Sequence, residues 1–244
     1  VALADGFATT TPEHYHTLTW MLGQCFYRLG EDAEAEPLLE GLAAEVPPQR
    51  FTDDAVYQLA RLRYRQRRYD EAALGFTEDL RRFDRYIKAA DSHYYLGKTQ
   101  LRLGEAGEAL ATFARLGERP GASPLRRAGA TYQSGHAEAS LAAIDPDNAE
   151  AHWMQARAFW GAIFTDHADS IYVDNAAYQL AALPYDQGDP GAALAALARF
   201  ETEYPDSGLR HLAVYKQGRA AEKLGRLDDA FATYERYGAG WPEG

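Results

Sequence analysis

Aromatic rings recur at Trp20, Tyr57, Tyr94, Trp153, Tyr178 and Tyr215, and a polar or cationic residue follows most of them at a fixed distance. Four positions on stand Gln24, Arg61, Lys98, Arg157 and Arg219, with Ala182 as the interruption; one turn further come Arg28, Arg65 and Arg102, then Asp186 and Lys223. Four-residue spacing puts each such set on one face of a helix. Arginine binds a carboxylate through paired hydrogen bonds, and rigid aromatics supply contact area at low entropic cost. The chemistry on offer is recognition of an extended acidic peptide or a terminal carboxylate. The same residues also fit packing between helices with solvated charge outside, and the pattern alone leaves both readings open.

Other constellations carry less. The run Arg61, Arg63, Arg65, Arg67, Arg68, Arg81, Arg82 and Arg85 is dense enough to suggest nucleic acid or phospholipid. Interleaved Asp53, Asp54, Asp70, Glu71, Glu78, Asp79 and Asp84 are expected to neutralise much of it in place. His14 and His16 flank Tyr15, but a two-residue offset does not bring two imidazoles onto one helical face, so a surface pair is expected. His93, His136, His152, His167 and His211 are scattered. Asp166, Asp169 and Asp174 lack the glycine and closing glutamate of a calcium loop and read as a solvated acidic loop. Cys25, beside Phe26, is expected to be a small buried hydrophobe. No phosphate-binding glycine fingerprint, nucleophile elbow or zinc-protease motif is present. The expectation is a protein that is not an enzyme and holds neither metal nor cofactor.

Composition narrows the partners. Twenty-five cations against 36 anions give a net charge of −11 and a pI near 5.1. That balance disfavours non-specific binding to nucleic acid or to an anionic membrane. A single cysteine excludes an intrachain disulfide, and no run approaches 18 apolar residues. The first eleven residues do not read as a signal peptide. Only Lys88, Lys98, Lys216 and Lys223 are lysines, the other cations being arginines, which with the abundant alanine suggests a GC-rich, bacterial genome.

The elements that must position these residues follow from an internal period. Trp20-Met21-Leu22-Gly23 with Ala35 recurs as Tyr57-Gln58-Leu59-Ala60 with Ala72, then as Tyr94-Tyr95-Leu96-Gly97 with Ala109. It returns as Tyr178-Gln179-Leu180-Ala181 with Ala193 and Tyr215-Lys216-Gln217-Gly218 with Ala230. Gly30, Gly104, Gly188 and Gly225 occupy the turn position, with Arg67 in the remaining unit, and Pro47, Pro205 and Pro242 close three of the units. Each unit reads as two antiparallel helices with small residues where the backbones approach. No alternating β pattern is present, so the class is all-α. The centre departs: residues 124 to 146 look like a short, worn hairpin, and Ala149 to Ile163 reads as a first helix carrying Trp153. Phe164 to Asp174 is irregular, either a loop on one face or a change of pitch. Pro184 is expected to kink or end its helix near Leu183.

The segments from Tyr57-Gln58-Leu59-Ala60 to Tyr69-Asp70-Glu71-Ala72, and Asp145-Pro146-Asp147-Asn148-Ala149-Glu150-Ala151-His152-Trp153, resemble tetratricopeptide repeats. The 37-residue spacing and Tyr204-Pro205-Asp206-Ser207 are similar to bacterial cell-envelope members, the Tol–Pal coordinator type and the outer-membrane assembly lipoproteins. The resemblance covers about residues 13 to 242 and implies a right-handed α-solenoid of about six hairpins, irregular over about 124–174. It further implies one repeat domain over 13–244 after a tail over 1–12, with regular units at about 13–49, 53–86, 90–121, 174–207 and 208–242 around a degenerate region at 122–173. In such repeats the first helices line a concave groove. The expected function is therefore a non-catalytic scaffold holding a protein or peptide partner, not nucleic acid, with no membrane span, in the periplasm or cell envelope; the alternative compartment is the cytoplasm. Two other readings are the helical part of a lytic-transglycosylase-like enzyme and an edge-docked subunit using exposed Trp160, Trp241 and the Phe164–Asp174 loop.

Overall fold

The computed structural model of the protein describes residues 12–84 and 88–241, the side chains of residues 12 and 13 excepted. Arg85, Pro242 and all of the expected tail but Pro12 lie outside them. The described residues form twelve α-helices and no strand: α1 Pro12–Leu29, α2 Asp32–Ala43, α3 Thr52–Arg65, α4 Tyr69–Phe83, α5 Ala89–Leu103, α6 Ala106–Glu118, α7 Pro124–Ile144, α8 Ala149–Asp166, α9 Val173–Asp186, α10 Pro190–Glu203, α11 Arg210–Lys223 and α12 Leu227–Gly240. They belong to two compact units, residues 1–122 and 123–244, each of three hairpins. Within a unit every helix packs on its neighbours in sequence, and first helices of successive hairpins also touch, α3 with α5 and α9 with α11.

The small-residue column explains the tight hairpins. A Cβ on Gly97 of α5 would stand 2.5 Å from the Phe113 ring of α6, and one on Gly218 of α11 would stand 2.4 Å from the Tyr234 ring of α12. Ala35, Ala72, Ala109 and Ala193 are wholly buried beside these crossings. Where the chain reverses, Gly30, Gly104, Gly188 and Gly225 have φ of 81°, 83°, 87° and 71°. Arg67 takes the same turn with φ 63°, a left-handed conformation that costs a side-chain-bearing residue about 1–2 kcal/mol. Apolar clusters form the core of each unit, such as Leu39 and Leu42 of α2 against Ala55, Leu59 and Leu62 of α3.

The centre differs from expectation. Residues 124–144 are one continuous helix, capped by the Ser123 hydroxyl and opened by Pro124, not a short hairpin. Its partner is α8, so Trp153 and Arg157 stand on a second helix rather than in the row of first helices. The frame survives in α7 as Tyr132-Gln133-Ser134-Gly135, where a Cβ on Gly135 would meet the Trp160 indole at 2.3 Å. The small residue of α8 is Ala156, 21 positions after Gly135 instead of the usual 12, so both helices are lengthened. The irregular stretch shrinks to residues 167–172 between α8 and α9.

Three further expectations are corrected. α9 runs through Pro184 to Asp186 instead of ending near Leu183: the proline falls in the last turn, where Gln187 N–H still reaches the Leu183 carbonyl. Trp160 is 2% exposed and its indole N–H donates to the Tyr132 carbonyl at 3.2 Å, so it cannot serve as an exposed anchor. Cys25 is exposed, on the face of α1 that other first helices turn toward a preceding hairpin.

Candidate functional site

In the first unit the predicted columns separate by depth. Tyr57 and Tyr94 are both 5% exposed. Their rings pack edge-on or tilted against Phe76, Phe113 and Tyr95 at 5.6 to 6.4 Å, so they belong to the hairpin core. Trp20 is half-buried and stacks on Phe51 at 5.7 Å, with the Lys88 ammonium 6.0 Å from its ring. Lys88 also pairs with Asp54, while burial lowers its pKa.

Above this floor the cations converge on tyrosine faces. The Arg61 guanidinium lies 4.9 Å from the Tyr95 centroid, 5.7 Å from Tyr57 and 5.8 Å from Tyr27. The Lys98 ammonium lies 5.6 Å from Tyr95, 5.6 Å from Tyr64 and 5.5 Å from Tyr94. Two cations from neighbouring first helices therefore meet over the Tyr95 ring. Arg65 stacks on Tyr27 at 4.0 Å, donates to its carbonyl at 2.8 Å and pairs with Asp32. Arg102 is exposed, and its hydrogen bond with the Tyr64 hydroxyl raises its pKa. Gln24, half-buried on α1, keeps its Nε2 without a hydrogen-bond partner. Arg28 is exposed.

The sequence pattern missed Tyr27, Tyr64 and Tyr95, which shape this face. Tyr27 and Tyr64 lie seven residues after Trp20 and Tyr57, two turns along the same face, and Tyr185 repeats that offset from Tyr178. Elsewhere in the unit the arginines are matched locally. Arg63 reaches Glu40 at 2.8 Å, Arg68 pairs with Glu36 at 2.7 Å and Glu71, and Arg81 pairs with Glu78 at 2.7 Å.

The second unit is less cationic. Tyr178 is half-buried against Phe200 at 5.8 Å, and burial pushes its hydroxyl up to about 12. Tyr215 is 44% exposed, and Arg219 lies between the Tyr215 hydroxyl at 3.4 Å and Glu222 at 3.1 Å. Lys216 and Lys223 both cover the Tyr185 ring, at 5.3 and 3.8 Å, and Lys216 pairs with Asp186 at 3.1 Å. Trp153 and Arg157, on α8, are not brought together with these; Arg157 reaches Gln187 at 3.4 Å. Among the described residues no group of three His, Cys, Asp or Glu is arranged to hold a metal ion. His16 pairs with Glu45 at 2.6 Å, and Asp174 accepts from the Ser207 hydroxyl at 2.7 Å. No helix of the described residues is long and apolar enough to cross a membrane.

The chain resembles several solved structures in fold. A tetratricopeptide repeat protein from Parabacteroides merdae aligns at 17% identity over 91% of this chain and 78% of its own, with a TM-score of 0.69. PilW, a widely conserved type IV pilus biogenesis factor, aligns at 16% identity over 94% of each chain, with a TM-score of 0.69. A thermophilic protein of this repeat type from Thermus thermophilus aligns at 20% identity over 78% of this chain and 92% of its own, with a TM-score of 0.58. At these identities the likeness concerns fold alone. No curated protein gives a significant match to the sequence. The family profile described as tetratricopeptide repeat matches residues 57–123 and 178–244, more than half of the chain, within the two stretches where the 37-residue frame holds. With paired helices, glycine turns and small-residue crossings at the same period, the chain belongs to the tetratricopeptide repeat family.

Proposed function

We propose that the protein is a non-catalytic interaction module whose first unit binds an extended acidic segment of a partner protein across α1, α3 and α5. Tetratricopeptide repeat proteins are in general protein–protein interaction scaffolds. The observation that carries the finer reading is the meeting of Arg61 and Lys98 over Tyr95. A cation held against aromatic faces keeps its charge while its stem is covered, so it loses little further conformational entropy when a carboxylate arrives. Arg102 extends the row of donors along the same first helices. A bacterial cell-envelope setting follows the resemblance of the repeats, and the fold it shares with PilW supports it.

The test is fluorescence anisotropy with a labelled twelve-residue peptide alternating glutamate and leucine, against its glutamine counterpart. The glutamate peptide should bind more tightly, lose affinity as salt rises, and bind Lys98→Gln or Arg61→Gln about tenfold more weakly. Equal binding of both peptides, or binding indifferent to Lys98→Gln, overturns the assignment.

A further inference from the structure

Three junctions between hairpins share one arrangement: the cation that ends a first helix reaches the tyrosine near the end of the preceding first helix. Arg65 of α3 stacks on the Tyr27 ring of α1 at 4.0 Å, donates to the Tyr27 carbonyl at 2.8 Å and pairs with Asp32 of α2. Arg102 of α5 repeats this one hairpin on, donating to the Tyr64 hydroxyl of α3. In the second unit Lys223 of α11 lies 3.8 Å from the Tyr185 ring of α9.

The residue that the intervening second helix brings to the junction differs. Three positions before the buried alanine, the regular second helices carry Asp32, Tyr69, Ala106, Pro190 and Leu227. A carboxylate stands there only on α2. On α4 the same position is Tyr69, whose ring packs edge-on against Tyr64 at 5.5 Å, beside Arg102.

The difference matters to an arriving carboxylate. Arg65 has a tyrosine ring against its guanidinium, one terminal nitrogen on a carbonyl and the other on the Asp32 carboxylate. A ligand carboxylate would have to displace Asp32 or lie against it, like charge to like charge. Arg102 is exposed and donates to a neutral phenol, so its charge stays open to an incoming anion.

We propose that Asp32 decides which cations of the first unit take part in acidic-segment binding: it withholds Arg65, so ligand carboxylates engage Arg61, Lys98 and Arg102. The inference rests on the acidic-segment reading of this surface and adds the residue that limits it. Asp32 acts through Arg65 and is a positioning residue.

The glutamate and glutamine peptides test it on the full chain, with circular dichroism to verify that each variant folds. Asp32→Asn should bind the glutamate peptide about fivefold more tightly and the glutamine peptide unchanged. Asp32→Asn combined with Arg65→Gln should return to the parent's affinity, because the gain comes from the released Arg65. Tyr69→Asp, which sets a carboxylate against Arg102 as Asp32 is set against Arg65, should weaken glutamate-peptide binding about fivefold. Asp32→Asn no tighter than the parent, or a double variant that keeps the gain or falls well below the parent, overturns the inference. So does a folded Tyr69→Asp variant with the parent's affinity. In each of these cases a parent that prefers glutamate to glutamine leaves the surface itself standing. Equal binding of the two peptides by the parent removes the surface, and this inference with it.

Discussion

Asp79 is the residue whose burial has the clearest cost. Its carboxylate is 4% exposed between α4 and α5, where it accepts the Ser92 hydroxyl, and burial pushes its pKa from 3.8 to about 6. The folded chain therefore holds a proton between about pH 4 and 6 that the unfolded chain has released. Stability must fall as pH rises through that window, in total by something on the order of 3 kcal/mol, and stay at the lower level above pH 6. Asp79→Asn keeps an acceptor for Ser92 and removes the charge. It should raise the urea midpoint at pH 7.5, by about 1–2 kcal/mol of stability, and flatten the fall between pH 4 and 6. A variant no more stable than the parent at pH 7.5 would show that neighbouring charge, with Arg82 foremost, already compensates the buried carboxylate. The same scale shows what the sequence could reveal of the site. The cations at Arg61, Lys98 and Arg102 were legible, because spacing of four along a helix is a property of the chain itself. The depth of Tyr57 and Tyr94 was not, because it depends on Phe76 and Phe113 arriving from the paired helix.

At the scale of the element, the helical hairpin is set by the contact between a small residue on its first helix and a large side chain on its second, Leu39 against Gly23 and the Phe113 and Tyr234 rings against Gly97 and Gly218. Gly97→Ala puts a methyl 2.5 Å from the Phe113 ring, a separation that packed carbons do not tolerate. Alanine's better helix propensity offsets about 1 kcal/mol, and overpacking costs about 1–3, so a net loss of stability is expected, read as a lower urea midpoint with unchanged helical content. A gain in stability would mean that α5 and α6 can part without loss. This contact also explains which hairpins were legible. Five frames repeat their small residues 12 positions apart, and the period found them at once. In α7 and α8 the same contact is made by Gly135 and Trp160, but nine more residues lie between Gly135 and Ala156. A fixed period passes over that hairpin and settles on Trp153, which follows a convincing helix start and belongs to the other helix. The surviving signal was Tyr132-Gln133 followed by Gly135, the same pattern as Tyr57-Gln58 followed by Ala60.

At the scale of the molecule, each hairpin packs on its neighbours in sequence within its unit. The apolar clusters around Leu39 and Phe76 lie within residues 1–122, and those around Trp160 and Phe200 within 123–244. Arg68 pairs with Glu36 in the first unit and Arg236 with Glu201 in the second. A stack of repeats has a stability close to the sum of its hairpins and their nearest-neighbour contacts, and three hairpins are about the least that buries a continuous core. Each unit has three. Separately expressed residues 1–122 and 123–244 should therefore each show full helical circular dichroism and unfold cooperatively in urea. The acidic-peptide affinity should remain with the first fragment, which contains Arg61, Lys98 and Tyr95. Loss of cooperative unfolding in either fragment would mean that its hairpins depend on the other half of the chain. Peptide binding by the second fragment alone would move the recognition surface away from α1, α3 and α5, onto the tyrosines that Lys216, Arg219 and Lys223 cover.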